Sequence, residues 1–288
     1  MLLTAAAVVV CHVACAQYYS WGADPARFRW MQAKGEKTNV IYPQHTQQIG
    51  LSTLYFTDRM RPYIDYGFKL PALNLPFVVH PENMQSNGLV MWLPKRVEFL
   101  STPAIDGYSM PWIKQLVAHE YRHAVQYNNL NHGWVKAFSY ILGQQSSTIG
   151  LLFMPLWGIE GDAVVSETAM STFGRALQPS FSLYYRAHVD DILRRTNYDK
   201  WFSGSYREFI PDHYQLGYQI TSYANTKYNE NFWDKIVDYS VRHPYVIATH
   251  LVSMKRVYNT KTSILTRETF TDLKRHWSTL PEVENSST

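Results

Sequence analysis

His119-Glu120-Tyr121-Arg122-His123 is the stretch on which the reading of this chain turns. It has the form H-E-x-x-H. On a helix, positions i and i+4 share one face, one turn apart. Two imidazoles set that way can grip one zinc ion from the same side, with the Glu beside the remaining coordination position. The flanking residues predict that helix. Met110, Ile113, Leu116, Val117, Tyr121 and Ala124 recur at three- and four-residue steps. Ser109 reads as the N-cap and Pro111 as a first-turn residue, while Asn128, Asn129, Asn131 and Gly133 supply the stop.

A third protein ligand is sought downstream. The best candidate segment is Pro155-Leu156-Trp157-Gly158-Ile159-Glu160-Gly161-Asp162-Ala163. H-E-x-x-H followed by W-x-x-E-G-x-A resembles the gluzincin branch of zinc metallopeptidases, which includes thermolysin-like and aminopeptidase-type enzymes. The resemblance covers about residues 75–230. It implies zinc held by His119, His123 and Glu160, with Glu120 as the catalytic carboxylate. Between His123 and Glu160 lie 36 residues, more than in the best-known members of the branch. The excess, about Asn131 to Met154, fits one further helix and a loop. Thermolysin-like enzymes carry an Asp four residues after the ligand Glu; here Val164 stands there.

Other carboxylates and histidines compete for these roles. His132 lies near the metzincin spacing, but Gln126 occupies the place of the Gly that turns that motif back, and His132 is out of register. Asp162 projects about 200° away from Glu160 on a helix, so both cannot face one metal. Glu167 returns to nearly the face of Glu160. It is the candidate partner for the outer N–H of His119 or His123, because zinc-bound imidazoles usually donate that N–H to a carboxylate or carbonyl.

Three protein ligands leave one position for water, whose pKa zinc lowers towards about 7. Glu120 would take its proton and pass it to the leaving amine. The resemblance also implies a Tyr or His from the downstream helices as oxyanion donor. Asp212-His213-Tyr214-Gln215-Leu216-Gly217-Tyr218 is similar to the Y-x-x-G stretch of such helices, with Tyr214 first and Tyr218 and His213 behind it. With 21 tyrosines in the chain, packing is the competing role.

Composition bounds the alternatives. The 288 residues are 46% hydrophobic and 17% charged, which excludes disorder and allows a large core. The net charge is +4, with no Lys/Arg run or basic aromatic stripe, so nucleic acid is not implied. No later run reaches the ~18 apolar residues of a spanning helix. Residues 1–16 read as a signal peptide: Met1 to Val10 is almost wholly apolar and Ala14-Cys15-Ala16 ends in a small-x-small step. A lipoprotein signal acylated on Cys15 is the rival, weakened by His12 where that signal prefers Leu. Cleavage after Ala16 removes both cysteines, Cys11 and Cys15. The expected location is exported: periplasm, cell surface or extracellular, with association with the cell envelope open.

The expected fold is α+β and zincin-like. Residues 17–280 form one metallopeptidase domain and 281–288 a loose tail. Within the domain, about 17–130 hold a small mixed sheet and the active-site helix, and about 131–280 a mostly helical subdomain. Residues 17–36 read as an aromatic lead-in. Strands are expected at Thr38–Tyr42, Phe77–His80, Leu89–Leu93 and Val97–Leu100, and a helix at Thr46–Gly67 bent near Pro62. Asn87 to Leu93 is expected to be the sheet edge along the cleft, able to pair with an extended peptide. Helices follow at Ser180–Arg195, Pro211–Tyr228, Asn231–Arg242, Pro244–Tyr258 and Thr266–Trp277. The aromatic opening, core and helical end are similar to the front part of large exported bacterial proteins that continue into a β-propeller.

The function these features imply is hydrolysis of peptide bonds in a peptide or protein substrate. The absence of a G-x-M-E-N motif favours an endopeptidase over an aminopeptidase. The alternative from another class is a non-catalytic surface module binding peptide or glycan on a retained zincin shell. Its 15% aromatic content suits capture, but such a shell has no chemical reason to keep Glu120.

Overall fold

The computed structural model describes residues 24–92, 94–105, 107, 110–143, 153–195, 197–207, 209–210, 212–244 and 249–280. The expected signal peptide with both cysteines, Ser109, Leu93, Pro211 and residues 281–288 lie outside the described residues.

The chain is α+β, with a small mixed sheet ahead of a helical part. Five strands, β1 (Trp30–Lys34), β2 (Asn39–Pro43), β3 (Pro76–His80), β4 (Ser86–Trp92) and β5 (Lys95–Ser101), lie in the order β1-β2-β3-β5-β4. β2, β3 and β5 run parallel, and β1 and β4 pair antiparallel on the two edges. Helix α1 (Gln47–Ile64) makes the crossover from β2 to β3. Alternate residues of the central strands, Val40 and Tyr42, Phe77 and Val79, Val97 and Phe99, are buried on one face. There they meet Leu116, Val117, Tyr121 and Ala124 of helix α2 (Trp112–Leu130). The helix is thereby clamped against the sheet, with β4 as the expected edge.

α3 (Gly133–Leu142), α4 (Leu156–Ala169), α5 (Pro179–Ala187), α6 (Val189–Arg194), α7 (Asp199–Ser203), α8 (His213–Tyr228), α9 (Phe232–Arg242), α10 (Thr249–Tyr258) and α11 (Thr262–Ser278) make up the helical part. Their own core gathers Trp157, Tyr185, Trp201, Phe232, Trp233 and Phe270. Asp212 caps α8 through the amides of Tyr214 and Gln215, and Asn231 caps α9 through those of Trp233 and Asp234.

Several elements differ from the expectation. The lead-in contains a strand, β1, whose side chains are mostly exposed and which is held by its backbone pairing to β2. Pro111 occupies the N-cap of α2 rather than its first turn, with extended ψ of 129°. The expected helix over 180–195 breaks at His188, which turns Val189 and Ile192 into the core beside Tyr185. The short α7 was not anticipated, and α11 starts four residues early, after Asn259 takes the left-handed conformation at φ 49°.

The crossing of α4 and α8 positions the site. A Cβ on Gly217 would sit 1.8 Å from the Trp157 carbonyl oxygen, and one on Gly161 would sit 2.3 Å from the Gly217 carbonyl carbon. The two helices touch backbone to backbone, which only glycine allows. Gly217→Ala is therefore expected to cost about 3 kcal/mol, the upper end for overpacking, because rigid backbone must move. The midpoint of urea unfolding reports it, and an unchanged midpoint would contradict the close crossing.

Candidate metal centre

α2 carries both histidines mid-helix. It is buried from Gln115 through Gln126, so neither ring is on a free surface. The rings stand edge to face, centroids 4.8 Å apart. The Glu160 Oε2 atom lies 3.0 Å from His119 Nε2 and 3.3 Å from His123 Nε2. Atoms capable of metal ligation on His119, Glu120 and His123 all lie within 4.8 Å of one another. Two carboxylates therefore flank the ring pair. Glu160 makes the shorter contacts, while Glu120 packs on the edge strand, where a Cβ on Gly88 would come within 2.6 Å of its Cγ.

The outer ring nitrogens are both committed. His119 Nδ1 is 3.2 Å from Glu167 Oε2, and His123 Nδ1 is 2.7 Å from Gln126 Oε1. The amide nitrogen of Gln126 donates to the Ile159 carbonyl at 2.9 Å and to Asp162 Oδ2 at 2.8 Å, which orients its oxygen towards His123. A carboxylate and an oriented amide oxygen only accept, so each neutral ring carries its proton on Nδ1. Both Nε2 lone pairs then face a carboxylate oxygen, an arrangement that needs a cation or additional protons between them. About 3.3 Å also separates neighbouring ligand atoms around a tetrahedral zinc with bonds near 2.0–2.1 Å. The donor set of two imidazoles and a carboxylate fits a divalent metal on both counts.

The charges respond accordingly. Burial opposes charge on His123, but Glu160, Glu120 and the Gln126 bond outweigh it and lift the ring to about 9. His119 is likewise raised, against burial, by its bonds to Glu160 and Glu167. Burial pushes Glu160 up, yet the two rings hold its carboxyl well below the usual range. Burial dominates at Glu120 and raises its carboxyl, against the pull of both histidines. Tyr214 stays a proton donor: burial and the nearby Glu160 and Glu120 carboxylates raise its hydroxyl.

Around this centre the site residues fall as follows. Tyr214, at the start of α8, has its ring centroid 5.8 Å from that of His119, with the Arg175 guanidinium 5.3 Å over its ring. Arg175 also reaches Glu167, Nε to Oε1 at 3.1 Å, as does Gln115 Nε2 at 3.2 Å. Tyr218 packs on Phe181 instead, and His213 lies tilted against Tyr214, centroids 4.6 Å apart. His132 faces Asp238 and the Asn129 carbonyl, away from the centre. A cavity of about 310 Å³ opens over the rings between Gly88, Leu89 and Val90 of β4 and Tyr127, Met154 and Leu156.

Sequence reasoning missed the scaffold behind the rings. Arg122, an x of H-E-x-x-H, forks onto Asp162 at 2.7 and 2.9 Å and donates to the Ile64 and Tyr66 carbonyls at 2.7 and 3.0 Å. Asn231 adds a third donor to Asp162 at 3.3 Å. Arg122, Gln126 and Asp162 thus form a buried network joining α1, α2, α4 and the start of α9. The one signal available was a charged pair on segments otherwise predicted to be buried.

No known protein family matches the chain, and no curated protein matches it. The buried His-Glu-x-x-His group and its neighbours carry the functional argument alone.

Proposed function

We propose that the protein is a zinc-dependent peptidase of the gluzincin type, acting as an endopeptidase. The observation that carries this is the convergence of both Nε2 atoms on Glu160 Oε2, with each Nδ1 already bonded. In this reading His119, His123 and Glu160 hold the metal, and Glu167 and Gln126 orient the two rings. Zinc bound there would supply a more acidic water and a Lewis acid for the scissile carbonyl. Glu120 removes the proton from the attacking water and delivers it to the leaving amine. Its raised carboxyl pKa suits a group that must both accept and return a proton. The protonated Tyr214 hydroxyl donates to the oxyanion. The outer edge of β4 pairs with the substrate backbone in extended form. The apolar leader of residues 1–16 fits an enzyme working outside the cytoplasm.

Metal analysis of the purified chain tests the first half: one zinc per chain is expected, and none in His123→Ala. Cleavage of a peptide library, abolished by chelator and restored by zinc, tests the second. Stoichiometric zinc without cleavage of any peptide would instead identify a binding module. Gly88→Ala is expected to leave zinc content intact and lower cleavage by about tenfold or more, since displacing Glu120 by even 1 Å is costly. Unchanged cleavage would remove Glu120 from its role on the edge strand.

A further inference from the structure

Arg175 stands behind the metal centre, where the chain doubles back after α4. A Cβ on Gly174 would come within 2.5 Å of the Thr168 Cα, so glycine lets this segment fold tightly onto the end of the helix it has just left. A 3₁₀ turn over Arg175–Leu177 follows. Arg175 is thereby returned to Glu167, eight residues earlier, with its side chain partly buried.

The guanidinium makes two kinds of contact. Its edge forks onto the Glu167 carboxylate, Nε to Oε1 at 3.1 Å and Nη2 to Oε2 at 3.0 Å. That carboxylate is wholly buried, and its Oε2 also lies 3.2 Å from His119 Nδ1. The Arg175 Cζ stands over the face of the Tyr214 ring, 5.3 Å from its centroid. Tyr214 in turn lies 5.8 Å from the His119 ring, centroid to centroid. His119, Glu167, Arg175 and Tyr214 thus close a circuit drawn from α2, α4, the turn after it and α8. Arg175 does not line the cavity over the rings, whose walls come from β4, α2, α4, Met154 and Tyr214. A direct grip on a substrate in that cavity is therefore not its role. A counter-charge for Glu167 would need only an ammonium. The fork and the ring contact together call for a planar guanidinium.

We infer that Arg175 is a positioning residue of the proposed peptidase. Its fork fixes the carboxylate that orients the His119 ring, and the same group holds the Tyr214 ring. Metal ligand and oxyanion donor are kept at one spacing through a single side chain. The inference rests on the peptidase reading, in which His119 binds zinc and the Tyr214 hydroxyl meets the oxyanion.

Arg175→Lys keeps the positive charge and loses the fork and the flat face. It is expected to weaken zinc binding about tenfold, read by competition with a chelator. At saturating zinc, kcat should also fall about tenfold with KM unmoved, because the cavity wall is intact. In a Tyr214→Phe background, which lacks the hydroxyl, the same substitution should lower kcat by less than about threefold. An equal loss in both backgrounds would reduce Arg175 to a structural residue and overturn the inference. Unchanged zinc affinity, or a raised KM at parental kcat, would overturn it as well. Arg175→Ala gives a second test: methylguanidinium should restore zinc affinity and kcat, and methylammonium should not. No difference between the two would overturn the need for a planar group. Failure of the peptidase reading shows in the parent, as absent zinc or absent cleavage; failure of this inference shows only in the variants. In a parent that binds zinc and cleaves nothing, zinc affinity alone decides the hold on His119.

Discussion

Glu120→Gln is expected to keep one zinc per chain and to lower kcat for peptide cleavage by about 10²–10⁴-fold. The amide has the size of the carboxylate, so its packing against Gly88 is retained. What it loses is the ability to take a proton from water and give it to the leaving amine. KM should move little, because the edge strand and cavity walls that bind substrate are untouched. Metal content, circular dichroism and kcat on one cleaved peptide together make the test. Parental kcat in a zinc-loaded Gln variant would mean that another group is the base, and the chemistry proposed for the site would fail with it.

Asp162→Ala is expected to be the most destabilising single substitution around the site, at about 3–5 kcal/mol. The guanidinium of Arg122 is buried and forks onto this carboxylate. Without it a positive charge remains inside the protein with two carbonyls and the face of the Phe68 ring but no counter-charge among the described contacts. Gln126 loses an acceptor at the same time, which loosens the amide that orients His123. Weaker zinc binding should therefore accompany the lost stability. Asp162→Asn keeps much of the shape and should lose less. Chemical unfolding of the three proteins distinguishes the outcomes; a loss under about 1 kcal/mol would mean that water reaches Arg122.

The metal-site helix was legible because its periodicity and its motif occupy the same residues. β3 and β5 were likewise legible as the short stretches Phe77–His80 and Val97–Leu100, whose Phe77, Val79, Val97 and Phe99 enter the core. The edge strand β1 was not legible: most of Trp30 to Lys34 is exposed, so its side chains carry no alternation and its pairing is a backbone property. The break at His188 was hidden for a related reason, since no Gly or Pro marks it and packing alone sets it. At the centre, Glu160 and Glu167 stand within hydrogen-bond distance of the rings, and helical spacing had put both on one face. The Arg122–Asp162 pair spans 40 residues of sequence. No local pattern reveals a partner at that separation, because the pairing is created by the packing of α2 on α4.

The glycine contact between α4 and α8 reaches further than stability. Glu160 and Tyr214 ride on two rods welded at one point, so they shift together or not at all. Their placement relative to the two imidazoles owes nothing to the number of residues spent travelling from Leu130 to Leu156. What holds that placement is the packing of α4 on α2 through the Arg122–Asp162 fork, not the path of the chain between them.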